Sequence, residues 1–494
     1  MVPPMDAMLP FDPPILARAR LSRDARFDGK FFVAVRSTGI YCRPICPAPS
    51  PKERNVRYFL TAAAAAEAGF RPCLRCRPEA APGTAAWLGT SAVVRRALRL
   101  IEQGALDGST VAAFAARMGI GPRHLDRLFL EHVGASPIAL AQTRRLHFAK
   151  RLIDESHLPM TEIALASGFG SLRRFNEAFR QAYARSPREL RKQRRDGPPP
   201  GQRDDVRLTL FYRPPYDWAH LREFLALRAI PGLERVDGDS YARLVRLEGG
   251  HAAIDVRHAP ERHALVLRVR GAPPASLLRI ASAARRVFDL AADPALVATT
   301  LAADPQLERL VRRRPGVRIP GAWDPFECAV RAVLGQQVTV AAARTLAMRI
   351  VSRHGEALAP EGSELTRLFP APEAIASGSL DGLGLTGARI AAVKGLARAM
   401  LEGRLDFQRP VEEVVASLTA LPGIGAWTAQ YIALRALGEP DAFLGADVVV
   451  RRVAACGGTP LSERDLNRRA DGWRPWRGYA VMHLWCAANE RVTP

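Results

Sequence analysis

Acidic side chains are scarce in this 494-residue chain: 49 Asp and Glu stand against 71 Lys and Arg, a formal net charge of +22. Such a deficit calls for an anionic partner. Nucleic acid is the first candidate, because each Lys or Arg that meets a phosphate releases a condensed counterion. Long apolar runs are lacking too. None approaches 18 residues, the blandest stretch being residues 62–66, so neither a membrane span nor a membrane surface fits. Residues 1–20 lack the basic start and apolar core of a secretory leader, which makes a cytoplasmic protein the expectation. Cysteine is sparse, 7 in all, and in a reducing compartment these thiols are ligands, nucleophiles or core residues before they are disulfides. Apolar material is not lacking: 48% hydrophobic residues against 24% charged exclude wholesale disorder, and the length implies about three or four domains.

Pro and Gly cluster at residues 80–84 (AAPGT) and 196–203 (DGPPPGQR), and these read as linkers. Between them the chain repeats itself. Gly119-Ile120-Gly121 leads to Leu125, Leu128 and Phe129, then Ser136-Pro137; Gly168-Phe169-Gly170 leads to Leu172, Phe175 and Phe179, then Ser186-Pro187. The offset is about 50 residues and defines two copies of one unit. Each has a short helix (111–118 and 162–167), a glycine turn and a second amphipathic helix with basic residues, the pattern of a helix-turn-helix. Residues 91–195 hold 19 Lys and Arg against 9 Asp and Glu. Arg123, His124 and Arg127 fall on one second helix and Arg173, Arg174 and Arg180 on the other, placed for successive major grooves; a solvated basic face is the plain alternative. After residue 206, alternating strands (207–212, 264–270) give way at about residue 275 to helical periodicity.

Cys42 and Cys46 are separated by three residues and Cys73 and Cys76 by two. Two tight cysteine pairs suit tetrahedral zinc. The metal serves either as a clamp for a piece too small to fold on its core alone, or in chemistry, since four thiolates on one divalent ion keep a net charge of minus two and leave a sulfur nucleophilic toward an alkyl group. The surrounding residues, Asp28-Gly29-Lys30, residues 34–44 (AVRSTGIYCRP) and residues 68–76 (AGFRPCLRC), resemble the N-terminal domain of the Ada methyl acceptors and regulators over residues 14–79. The resemblance implies that Cys42 takes a methyl group irreversibly from a DNA phosphotriester, and that Arg71 contacts DNA. One departure is Pro47-Ala48-Pro49 after the second cysteine, where relatives can carry phosphate-binding arginines. The two helix-turn-helix units, with Ala164 to Phe169 near the second turn, resemble the AraC-type DNA-binding domain. That likeness implies promoter DNA and RNA polymerase as partners and a nucleoid-associated protein.

The second methyltransferase of Ada proteins, with its Pro-Cys-His-Arg site, is missing. Cys328, Cys456 and Cys486 lie in apolar settings and read as buried core thiols. Residues 421–425 (LPGIG), followed by Trp427-Thr428-Ala429-Gln430-Tyr431, form a glycine hairpin between helices, in which Gly423 and Gly425 permit close backbone approach and helix-start amides can hold phosphate. Asp447 follows as a lone acid among apolar neighbours and reads equally as a helix N-cap or a reactive carboxylate. Together with residues 214–218 (PPYDW), 333–340 (VLGQQVTV) and 474–480 (RPWRGYA), the pattern resembles the helix-hairpin-helix glycosylases, specifically 3-methyladenine DNA glycosylase II, over residues 206–487. The resemblance implies Asp447 as catalytic acid and Trp427, Tyr431 and Trp485 as a pocket holding the cationic base, with ordinary aromatic core as the alternative. It places Trp427 where lyases carry a Schiff-base lysine, so no lyase step is expected. It also puts Gln337 where a relative can present an apolar wedge, and it implies a monovalent cation on the carbonyls of Thr419, Leu421 and Gly423.

The expected architecture is multidomain and mostly α with α+β parts. It comprises a zinc-bound α+β domain (1–80), an all-α tandem helix-turn-helix domain (84–195), a linker (196–205), an antiparallel-sheet subdomain (206–290) and an all-α helix-hairpin-helix domain (291–494). Zn2+ on Cys42, Cys46, Cys73 and Cys76 is the expected cofactor and double-stranded DNA the expected partner. Two rival readings stay open: a methylation-sensing activator whose glycosylase-like half only binds DNA, and a structural zinc protein with nonspecific DNA affinity.

Overall fold

A computed structural model describes residues 9, 11–82, 92–193, 205–358 and 364–490. The second linker, residues 196–203, and the end of the first, residues 83 and 84, lie outside the described residues. The chain forms two compact units. One comprises Met1–Pro214, Ala259–Ala283 and Leu290–Ala292, the other Pro215–His258, Ala284–Asp289 and Asp293–Pro494. Most elements are helical, with small sheets, as the composition and periodicity imply.

The first unit begins with a four-stranded sheet ordered β3-β1-β2-β4: β1 (Phe32–Val35), β2 (Ile40–Cys42), β3 (Val56–Phe59) and β4 (Arg71–Pro72). Helix α1 (Ala62–Glu67) lies on it. Its alanines 62–65 are buried against Phe32, Tyr41 and Phe59, because a side chain no larger than methyl lets helix backbone approach sheet closely. Then come α2 (Val111–Met118), α3 (Pro122–Val133), the long α4 (Pro137–Glu155), α5 (Met160–Ala166) and α6 (Leu172–Tyr183). Hydroxyls cap three of these helices, Thr110 on α2, Ser136 on α4 and Ser171 on α6, and Ser186 caps the short helix Pro187–Lys192 that follows. Such caps satisfy N–H groups that a helix start leaves unpaired. The repeat is real in three dimensions. Residues 121–130 and 171–180 carry the same sequence of exposed and buried positions, with Phe129, Phe175 and Phe179 fully buried and Leu128 packed against the core. The unit ends with β5 (Asp205–Phe211), paired antiparallel over seven residues with β9 (Ala264–Arg270).

The second unit carries the β6 (Glu234–Asp237), β7 (Ser240–Leu247), β8 (Gly250–Ala259) meander, antiparallel throughout. Helices follow, among them α7 (Pro325–Leu334), α8 (Val411–Thr419), α9 (Ala426–Ala436), α10 (Val448–Ala454) and α11 (Arg477–Glu490). Among the described residues no helix is long and apolar enough to cross a membrane. One sequence expectation is corrected here. Cys328 and Cys486 are buried, but Cys456 is exposed, because it follows α10 in a left-handed turn at φ 52° and the apolar letters around it belong to the end of that helix.

Candidate metal centre, base pocket and nucleic-acid interface

Strand pairing assembles the cysteine cluster. β2 runs parallel to β4 with Tyr41 opposite Pro72, and the Cys73 N–H donates to the Tyr41 carbonyl at 3.0 Å, so Cys42 and Cys73 follow side by side. The sulfurs of Cys42, Cys46, Cys73 and Cys76 all lie within 4.8 Å of one another. Tetrahedral Zn–S bonds of about 2.3 Å need sulfurs roughly 3.8 Å apart, so the four thiols fit the ion. Cys42 and Cys46 are partly exposed, whereas Cys73 and Cys76 are buried. The backbone N–H of Arg43 donates to the sulfur of Cys76 at 3.3 Å. Arg71, on β4 beside this centre, is exposed.

In the second unit Trp427, Tyr431, Asp447 and Trp485 line one cavity of about 410 Å³. α8, the turn at 421–425 and α9 form the hairpin. Gly423 sits there at φ +82°, where a Cβ would come within 2.9 Å of the Ala392 Cβ; glycine is required on both counts. Gly425 opens α9 without a side chain to cap it, a Cβ built there meets nothing, and both Gly425 and Ala426 are exposed. α9 then sets Trp427 and Tyr431 four residues apart on one face, their rings stacked at 5.4 Å and 15°. Trp485 on α11 stands 6.4 Å from Tyr431.

Asp447 bears out the first of the two readings its sequence left open, and its carboxylate also lines the cavity. It is the N-cap of α10, its Oδ1 accepting from the Val450 N–H at 2.9 Å. Its Oδ2 accepts from the Trp427 indole N–H at 3.0 Å, and the Trp485 indole approaches Oδ1 at 3.4 Å. Helix start and indoles therefore aim one half-buried carboxylate into the cavity.

Several residues that sequence reasoning missed surround it. Arg435, one turn beyond Tyr431 on α9, donates to its hydroxyl at 2.6 Å and lies over the Phe224 ring at 4.5 Å; the i, i+4 spacing was its available signal. A quartet of three buried residues and the partly exposed Arg331 also lines the cavity, with Arg243 donating to Glu327 at 2.7 Å and Arg331 to Glu234 at 2.6 Å. Burial opposes ionisation of Glu234, yet Arg331 and Arg243 hold it down to about 2. The spacing of Glu327 and Arg331 was legible, but Glu234 joins from a distant strand. Cys486 also lines the cavity, with His220 Nδ1 at 3.3 Å from its sulfur. Burial pushes the thiol up to about 12 and the imidazole down to about 4, so this pair is neutral and no nucleophile.

Gln337 is exposed at φ 54° in the turn after α7. The cavity is lined instead by its neighbours Val338 and Val340, while Gln336 donates to the Gly423 carbonyl and to Thr428, both at 2.9 Å. In the first unit Arg123 and Arg127 on α3 and Arg173 and Arg174 on α6 are all exposed.

Three family models match the chain: "Metal binding domain of Ada" at residues 16–79, "Helix-turn-helix domain" at 114–193 and "AlkA N-terminal domain" at 207–324. A Mycobacterium tuberculosis protein named "Probable bifunctional transcriptional activator/DNA repair enzyme AlkA" is 41% identical over 483 residues, covering 96% of each chain. Escherichia coli "DNA-3-methyladenine glycosylase 2" is 37% identical over 283 residues, 56% of this chain and 96% of that one. The 3-methyladenine DNA-glycosylase of Archaeoglobus fulgidus shares the fold, with TM-score 0.52 and 22% identity over 58% of this chain and 99% of that one. An Ada-type zinc module, a helix-turn-helix pair and a glycosylase half thus lie in one order along almost the whole of a close relative, and the chain belongs to the family of bifunctional transcriptional activator/DNA repair enzymes of the AlkA type.

Proposed function

We propose that this chain removes alkylated bases of the 3-methyladenine type from duplex DNA without cutting the backbone, and that its zinc lobe takes methyl groups from DNA phosphotriesters onto Cys42. The observation that carries the first half is Asp447, held by two indoles in a cavity walled by aromatic rings. An alkylated purine is already cationic and leaves readily, so the protein's task is to flip the nucleotide out and stabilise an oxocarbenium-like sugar. Asp447 supplies the negative charge; Trp427, Tyr431 and Trp485 offer electron-rich faces to the cationic base. The amides at Gly423 and Gly425 grip phosphate. Carbonyls of Thr419, Leu421 and Gly423 are the seat of a monovalent cation, and Gln337 fills the vacated stack.

No lysine amine stands at Trp427, so borohydride added during turnover should trap no protein–DNA adduct, and the product strand should break only when alkali is added afterwards. A trapped adduct overturns the monofunctional reading.

Zinc, when bound, supplies a cluster of thiolates with surplus negative charge, which keeps sulfur nucleophilic. The sulfur of Cys76 is buried and accepts from the Arg43 N–H, which quietens it, and Cys73 is buried too. Of the two partly exposed cysteines, Cys42 and Cys46, Cys42 matches the acceptor of the Ada-type domain and is the one to attack. Its sulfur forms the S–CH3 bond as the C–O bond of the phosphotriester breaks, and the phosphodiester leaves with the electron pair. One negative charge thereby moves from protein to DNA, and affinity rises. With Arg71, Arg123, Arg127, Arg173 and Arg174 on promoter DNA, the methylated protein recruits RNA polymerase on the nucleoid.

Because phosphate contacts dominate, log affinity should fall linearly with log salt, and the double variant Arg173→Ala, Arg174→Ala should flatten the slope by about 2. A slope unchanged by the substitutions would remove α6 from the DNA interface.

A further inference from the structure

Both cysteine pairs lead, within a few buried contacts, to the first ladder of the AlkA N-terminal domain. Arg43 follows Cys42. Its guanidinium is buried, donates to both carboxylate oxygens of Asp28 and to the Cys76 carbonyl at 3.2 Å, and lies 5.4 Å from the ring of Phe211, the last residue of β5. The Asp28 carbonyl in turn accepts from Arg213 Nε at 2.8 Å. Arg213 is fully buried and also donates to the Ala291 carbonyl at 2.7 Å. Gly29 makes this contact possible, since a Cβ there would fall 2.1 Å from the Pro82 carbonyl oxygen and 3.0 Å from the Arg213 guanidinium.

The second pair has its own route. Arg77 follows Cys76 in the left-handed region at φ 54° and reaches Asp154 at 3.1 Å and Glu155 at 3.0 Å on the last turn of α4. The other oxygen of Glu155 accepts from the Thr209 N–H in β5 at 2.8 Å, and Arg151 donates to the Thr209 carbonyl at 2.6 Å. The backbone of β5 is therefore held at both its polar groups by the helix that Arg77 engages. Buried charges arranged this way are costly to leave unpaired, so the elements that carry them move together.

We infer that the zinc lobe is docked onto the β5–β9 ladder and braces it, so that the state of the four-cysteine centre is felt where the glycosylase half begins. The metal dependence rests on the four-cysteine site alone; the methylation dependence rests also on the acceptor reading of Cys42. Hydrogen exchange on the full chain tests it. Stripping zinc with a chelator, with metal content measured in parallel, should speed exchange in residues 205–211 and 264–270 by about tenfold or more while residues 411–436 stay unchanged. Arg213→Met should do the same with zinc retained. If that variant fails to fold, Arg77→Met, at a half-exposed position, should loosen β5 selectively. Ladder exchange that is identical in zinc-loaded and zinc-free protein would overturn the docking. Failure of methylphosphotriester DNA to add mass at Cys42 would instead remove the acceptor reading, and the metal comparison would still decide the brace.

Discussion

Asp447→Asn should lower release of free 3-methyladenine from methylated duplex DNA by about 10²- to 10³-fold, the usual consequence of removing one preorganised electrostatic partner of a charged transition state. The substitution isolates charge from architecture. Asparagine is as good an N-cap as aspartate, so the bond from Val450 to Oδ1 and the start of α10 survive. What is lost is the negative charge, and with it the acceptor for Trp427 at Oδ2, where an amide nitrogen would now face the indole N–H. DNA affinity should stay within a few-fold of the parent, because cations and amides, not carboxylates, hold phosphate. Release retained in the variant would move the chemistry away from Asp447. Release absent from both proteins, across several alkylated bases, would favour a sensor-activator whose second half only binds DNA.

The second large effect is expected at Cys42. Cys42→Ala should abolish methyl uptake from methylphosphotriester DNA outright, whereas release of alkylated bases should persist, since Asp447 and its aromatic partners belong to the other compact unit. Mass spectrometry of the residues 40–54 peptide after exposure to methylated DNA is the direct reading. A methyl group found on Cys46 in the parent protein would reassign the acceptor. Methyl uptake should also raise the parent's affinity for DNA, and the gain should shrink as salt screens the charge.

How far such chemistry could be read in the letters depended on the range of the interactions. Local patterns were legible. The periodicity at 111–118 and 264–270 coincides with α2 and β9, because helix and strand signals live within a few residues of one another. The cysteine spacing named a metal group without showing how the pairs meet, for which the parallel contact of β2 and β4 was needed. Long-range polar contacts left no trace. Arg213 is an ordinary basic letter in sequence, and its partners are backbone carbonyls as far away as Asp28 and Ala291, to which every residue type contributes alike. Glu234 and Arg331 meet across 97 positions. Cys456 misled for the opposite reason: its neighbours are apolar, but a left-handed turn carries it out of the helix and into solvent.

The matched burial of α3 and α6 has a further consequence. Fifty residues apart, the same exposed positions hold Arg123, His124 and Arg127 in one copy and Arg173, Arg174 and Glu177 in the other. The scaffold is duplicated, but what it displays is not. On the proposed reading of both helices as DNA contacts, two unlike surfaces joined in fixed order on one polypeptide would select a DNA address that differs from its own reverse complement. Such an address would have a direction, and a single copy of the chain seated on it would distinguish upstream from downstream without the help of a twin.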